Sequence, residues 1–122
     1  MKIGIDVRSM FGAPAGVGRY LCNLLTQLSH LDQETNYWLY TDHHVETPII
    51  QQPNFHQKHL TLPFAQNYFT WNHLRLPPEL LFHPVDLFHF PFYTMPVVRN
   101  YKSIVTIHDI TYEVHPEWYS WR

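Results

Sequence analysis

Four short apolar runs constrain the fold more than any other feature of this sequence. They are Lys2 to Val7, Tyr37 to Thr41, Val85 to Phe90 and Ser103 to Ile107. Each is bounded by loop-forming residues and is too short for a helix, so each reads as a buried strand. Between the first two, Val17, Tyr20, Leu21, Leu24, Leu25, Leu28 and Leu31 recur at helical spacing and form one apolar face. A weaker strand is expected at about His59 to Leu62. Phe64 to Phe82 reads as a helix, a break at Pro77-Pro78 and a short second helix, because proline has no N–H for the preceding turn. Continuous apolar strands alternating with helices predict an α/β fold. The expected form is a Rossmann-like, mostly parallel sheet of about five strands with flanking helices.

Composition narrows the class. At 122 residues and 15% charged, the chain is long enough for one domain with a real core and too apolar for disorder. A net charge of −2 gives no basic field for nucleic acid, although Trp71, Trp118 and Trp121 offer stacking surfaces. The single cysteine, Cys22, forms no internal disulfide and suits a reducing compartment. The opening MKIGIDV is too short for a signal-peptide apolar region, and no apolar run is long enough to span a bilayer. A soluble, cytoplasmic protein is expected.

Three constellations carry candidate chemistry. GAPAGVGR, Gly12 to Arg19, joins the first strand to the first helix. Gly16 and Gly18 would let backbone N–H groups approach an anion at the helix start, with Arg19 beside them. A tight turn into a helix would explain the same glycines. The dinucleotide pattern GxGxxG is not met, since Leu21 holds its third glycine position, so no nicotinamide or flavin is indicated. His108-Asp109 leaves the last strand, and there the histidine could serve as a general base with the aspartate orienting it. Alternatively, His108 is a satisfied histidine in a loop and Asp109 a helix cap. His89 to Tyr93 leaves the strand before, with rings able to stack on a sugar, line an acceptor groove or pack an ordinary loop. In a parallel sheet all three groups reach one rim. The ten histidines show no metal-binding pattern such as HExxH, so no metal is expected.

Three blocks of sequence bear a likeness to a known family. They are MKIGIDVRSMFGAPAGVGRYLCNLL, VDLFHFPFYTMPVV and SIVTIHDITYEVHPEWYS. In this order and spacing they resemble the N-terminal half of family-4 retaining glycosyltransferases, nearest the group-1 mannosyltransferase-like enzymes of bacterial polysaccharide synthesis. The resemblance implies the acceptor-side domain of a GT-B fold. It implies that Gly16 and Gly18 lie near the donor phosphates and that His108 is the cleft histidine touching the transferred sugar. Arg19, Asp109, His89 and Tyr93 would border the site. It implies a sugar nucleotide as substrate, no metal or other cofactor, a glycan or lipid-linked acceptor, and peripheral contact with the inner face of a membrane.

The donor-binding domain of that family, with its pair of acidic residues, is missing from these 122 residues, and the N-terminal domain itself reads as truncated. The chain alone is therefore expected to be inactive, because both walls of a cleft are needed to bind the transition state. Its open end, with Trp118, Tyr119 and Trp121, is expected to promote self-association. Two other readings fit the same residues. One is a stand-alone module binding an anionic sugar or nucleotide. The other is a subunit that completes its cleft with a second polypeptide.

Overall fold

A computed structural model of the chain describes residues 1–11, 16–61 and 67–119. The fold is α/β and Rossmann-like, with five parallel strands in the order β3-β2-β1-β4-β5. The strands are β1 (Lys2–Asp6), β2 (Asn36–Thr41), β3 (Phe55–His59), β4 (Leu87–Phe90) and β5 (Lys102–Val105). A 3-10 turn at Arg8–Met10 leads from β1 toward α1 (Gly16–Leu31). The crossover from β3 back past β1 to β4 carries α2 (Tyr68–Thr70), a π turn at Trp71–Arg75 and α3 (Leu76–Phe82). After β5 come α4 (Thr111–Val114) and a 3-10 turn at Pro116–Trp118. No helix among the described residues is long and apolar enough to cross a membrane.

Strand alternation sorts the core into two layers. Ile5, Val7, Tyr37 and Leu39 point to one face, where Leu21 and Leu25 of α1 cover them. Tyr40, Phe88 and Phe90 point to the other, under Trp71, Leu76 and Leu80. The second layer depends on Gly4. A Cβ there would lie 2.5 Å from the Phe88 ring and 3.3 Å from that of Tyr40. The glycine thus opens room in the central strand for two aromatic side chains from its neighbours.

The end of β1 is fixed by a buried ion pair. Arg8 Nη2 lies 2.8 Å from Asp6 Oδ2, and Arg8 Nε also donates to Asp6. The guanidinium carbon sits 4.2 Å from the Trp71 ring centroid and 4.6 Å from that of Tyr68. A planar cation suits both contacts, since its edge donates to the carboxylate while its faces meet the aromatic rings.

Two sequence expectations need correction. The third strand lies at Phe55–His59, not at His59 to Leu62. Its FHQKH sequence buries only Phe55, so it has no apolar run to mark it. Leu60, the marker that misled, comes after the strand and donates its N–H to the Thr41 carbonyl. Nor do Pro77 and Pro78 break the crossover helix. They sit in the first turn of α3, where a missing N–H costs little, and the preceding π turn admits their rings. The start of that expected helix at Phe64 lies outside the described residues, as do Gly12 to Ala15 and Trp121.

Two stability measurements check these contacts. In urea unfolding, Gly4→Ala is expected to cost about 1–3 kcal/mol through overpacking, whereas Gly16→Ala, whose Cβ meets nothing within 4 Å, should stay within about 0.5 kcal/mol. Asp6→Asn or Arg8→Met alone should cost about 3–5 kcal/mol by stranding a buried charge, and the double variant should recover most of it. Additive losses in the double variant would show that the two residues act independently.

Candidate functional site

Parallel pairing delivers the C-terminal ends of all five strands to one edge. The chain runs outward from β1 to β3 and then crosses to the other side of β1. The edge above β1 and β4 is therefore the topological switch point, where open α/β sheets bind ligands. Asp6, Ser9, Tyr68, Phe90, Phe92 and Thr94 line a narrow crevice at that point among the described residues. Further polar groups stand beside it, toward β5.

His108, shortly past the end of β5, bonds through Nε2 to the Pro91 carbonyl at 2.7 Å. A carbonyl only accepts, so Nε2 carries the proton and Nδ1 of the neutral ring keeps a lone pair. His89, buried on β4, places its Nε2 2.7 Å from Thr106 Oγ1. Tyr20, from the second turn of α1, turns its ring edge-on to both imidazoles. The centroid distances are 5.1 Å to His108 and 6.4 Å to His89. Burial lowers the pKa of His89, and the nearby His108 lowers it further, so this ring is uncharged at neutral pH.

Tyr93 closes the far side. Its hydroxyl accepts the N–H of Asp109 at 3.1 Å, and its ring lies 6.2 Å from that of His108. It holds a φ of 27°, the one positive-φ non-glycine residue among those described, in a tight turn where the Thr94 N–H bonds to the Phe92 carbonyl. Such a backbone persists only where its surroundings enforce it, which here are Phe92, Tyr112 and His108. Burial raises the pKa of the Tyr93 phenol.

Asp109 lies just ahead of α4, one residue before its N-cap, Ile110. Its Oδ1 accepts the Thr111 N–H at 3.1 Å at the start of α4, and that amide is the main reason its pKa is lowered. No hydrogen bond joins its carboxylate to His108 among the described residues.

The glycine loop divides in function. Gly18 is buried, and a Cβ there would come 2.6 Å from the Ser9 carbonyl, so close packing of α1 on the 3-10 turn already requires it. Gly16 is open, and Arg19 is exposed without an ion pair to another described residue. Tyr20, next to Arg19, is what ties this segment to the histidines. Sequence reasoning placed Tyr20 in the helix's apolar face and passed over Asp6 and Arg8 altogether. The signal for the pair was its spacing: an acid and a base two apart at a strand exit share a side.

Among the described residues no three His, Cys, Asp or Glu side chains are grouped to hold a metal ion. What the cluster offers is an imidazole nitrogen with no partner among the described residues, a neutral second imidazole, hydroxyls and ring faces. These suit hydrogen bonding to, or proton abstraction from, a hydroxylated ligand. Comparison with known proteins finds no matching family model, no matching curated protein and no matching solved structure.

The cluster predicts a pH dependence. The folded state holds the pKa of His89 below its unfolded value of about 6.5, so protonation favours unfolding. Stability is expected to be full above about pH 6.5, to fall as pH drops below it, and to level off beneath the lowered folded pKa. His89→Gln should flatten this decline in urea midpoints measured between about pH 7.5 and about pH 5, a range that spans the unfolded pKa. An unchanged slope would remove His89 as its source.

Proposed function

We propose that this chain is the acceptor-side portion of a retaining, sugar-nucleotide-dependent glycosyltransferase of the mannosyltransferase-like kind. The observation that carries the reading is the meeting of Tyr20, His89 and His108. They come from three separate sequence blocks, and each of those blocks resembles the same family. At the ligand-binding edge of the sheet, the Tyr20 ring lies 5.1 Å from that of His108 and 6.4 Å from that of His89.

In this reading His108 presents Nδ1 to a hydroxyl of the transferred sugar, with its ring held by the Pro91 carbonyl. His89 and Tyr20 keep that ring upright. Tyr93 and the aromatic loop from Phe90 form the wall along which an acceptor glycan lies. Gly16 and Arg19 face the donor diphosphate, where backbone amides and a guanidinium would take up developing negative charge. Gly18 contributes by letting α1 pack close to the 3-10 turn. The opposing wall belongs to a donor-binding half, and the whole enzyme works in the cytoplasm, at the membrane surface when its acceptor is lipid-linked.

The reading is tested by titrating uridine, guanosine and adenosine diphosphate sugars into the labelled chain and tracking backbone and histidine resonances. Weak binding confined to α1's first two turns, His89 and His108 is expected, and it should vanish in His108→Ala. Release of nucleoside diphosphate should not exceed that of the His108→Ala control. Shifts centred instead on Pro77, Leu81 and Arg99 would overturn the assignment, and release above the control would refute the need for a second wall.

A further inference from the structure

The narrow crevice above β1 and β4 is bordered by buried polar groups that have no hydrogen-bond partner among the described residues. Ser9 Oγ lines the crevice, shielded from solvent and unpaired. Thr94, also in the lining, accepts the Asn72 Nδ2–H on its Oγ1 at 3.0 Å. That bond sets the Asn72 amide directly behind the crevice wall. Asn72 is only 2% exposed, and its Oδ1 is buried and unpaired. Trp71 Nε1, from the same π turn, is buried and unpaired too. Stranding a buried polar group costs about 1–3 kcal/mol, so folded chains rarely gather several in one place.

The setting points to a ligand that relieves this cost. The crevice lies at the topological switch point, and a π turn supplies Asn72. Its apolar walls are aromatic, with Tyr68 and Phe92 stacked at a centroid distance of 4.9 Å. The Tyr68 phenol has its pKa raised, mainly by burial and then by the Asp6 charge, so it stays protonated and can donate. Asp6 itself brings a carboxylate to the lining, which repels phosphate and favours a neutral ligand. Ring faces, hydroxyls and an amide oxygen beside a carboxylate suit a neutral ring that carries hydroxyl groups.

We propose that this crevice is a subsite for one sugar ring of the acceptor. The proposal rests on the reading of the Phe90-to-Tyr93 loop as the acceptor wall. The ring lies over the Tyr68–Phe92 pair and sends one hydroxyl between Ser9 and Thr94. A hydroxyl both donates and accepts, so this one group donates to Asn72 Oδ1 and accepts from Ser9 Oγ. The wall that yields is the turn at Phe92 to Thr94, because Tyr93 gives up its φ of 27° when it moves. Asp6 ends a strand, and Ser9 and Tyr68 sit in helical turns, so those walls stay in place. The Asp6 charge keeps the donor's diphosphate on the Gly16 side.

The test is a titration of the isotope-labelled chain with the methyl glycosides of glucose, mannose and galactose at millimolar concentrations. Tetrahydropyran, a ring without hydroxyls, is the control. At least one glycoside should shift the Asn72 side-chain amide, the Trp71 indole N–H and the Thr94 amide, and tetrahydropyran should shift none of them. Ser9→Ala removes an unpaired hydroxyl, so its urea midpoint should equal or exceed that of the unmodified chain. It should nevertheless bind the glycoside about tenfold more weakly, the loss of roughly one hydrogen bond. A serine with only a packing role would leave that affinity unchanged, and this result would overturn the proposal. So would the absence of shifts with every glycoside, equal shifts with tetrahydropyran, or a water that contacts the Asn72 amide and stays there at saturating glycoside. Nucleotide-sugar shifts at His89 and His108 without glycoside shifts here would remove the subsite and leave the proposed function standing. Glycoside shifts here without the former would do the reverse.

Discussion

The Asp6 carboxylate and the Arg8 guanidinium meet where β1 ends, and the other elements take their positions from that meeting. Arg8 opens the turn beyond the central strand, and it reaches back to grip the strand's last residue. Its faces rest against Trp71 and Tyr68, which belong to the crossover on the opposite layer. The pair therefore joins three things at once: the end of β1, the turn on which α1 packs, and the helix that carries the chain to β4. Its value lies in geometry more than in net stabilisation, since desolvating two charges offsets much of their attraction. A neutral substitute for either residue could fill the volume without fixing the angle at which the chain leaves the strand.

That angle decides what stands at the C-terminal edge of the sheet. With α1 seated by Gly18 against the Ser9 carbonyl, Tyr20 projects over the ends of β4 and β5. There it meets two histidines in different surroundings. His89 is held neutral by burial, and His108 is exposed, with one nitrogen bonded to a carbonyl and no partner for the other among the described residues. In the proposed reading, such a pair separates support from reactivity, with one ring shaping the wall and the other acting on a ligand.

Much of this was legible in the sequence because strands buried on both faces must be apolar, and parallel strands must point their ends the same way. Those two facts were enough to bring His89, Tyr93, His108 and Asp109 to one rim. β3 escaped because an edge strand needs one buried side chain, Phe55, and otherwise reads as loop. Pro77-Pro78 misled because their cost depends on position in a helix, which spacing alone does not give. Gly18 shows a different limit. A glycine suits either a structural or a chemical role, and only the Ser9 carbonyl reveals the close packing that the backbone imposes. Tyr20 was hidden because its ring is shared between the core stripe of α1 and the site.

The strand order also governs the sequence of events by which the molecule forms. β1 pairs with β2 about thirty-four residues later. Its other neighbour, β4, lies 84 residues away, as the Lys2–Asp86 contact at the base of the two strands measures. The first of the five strands to leave a ribosome is thus enclosed only when the fourth appears. Until β4 arrives, Gly4 and Tyr40 line an open trough in a three-stranded half-sheet, and closure waits on the long loop that α2 and α3 must span. Non-local closure of this kind slows folding and prolongs the life of sticky intermediates. A nascent chain of this protein therefore presents its central strand to its surroundings for most of the synthesis of this sheet, and Phe88 is the residue whose arrival ends that exposure.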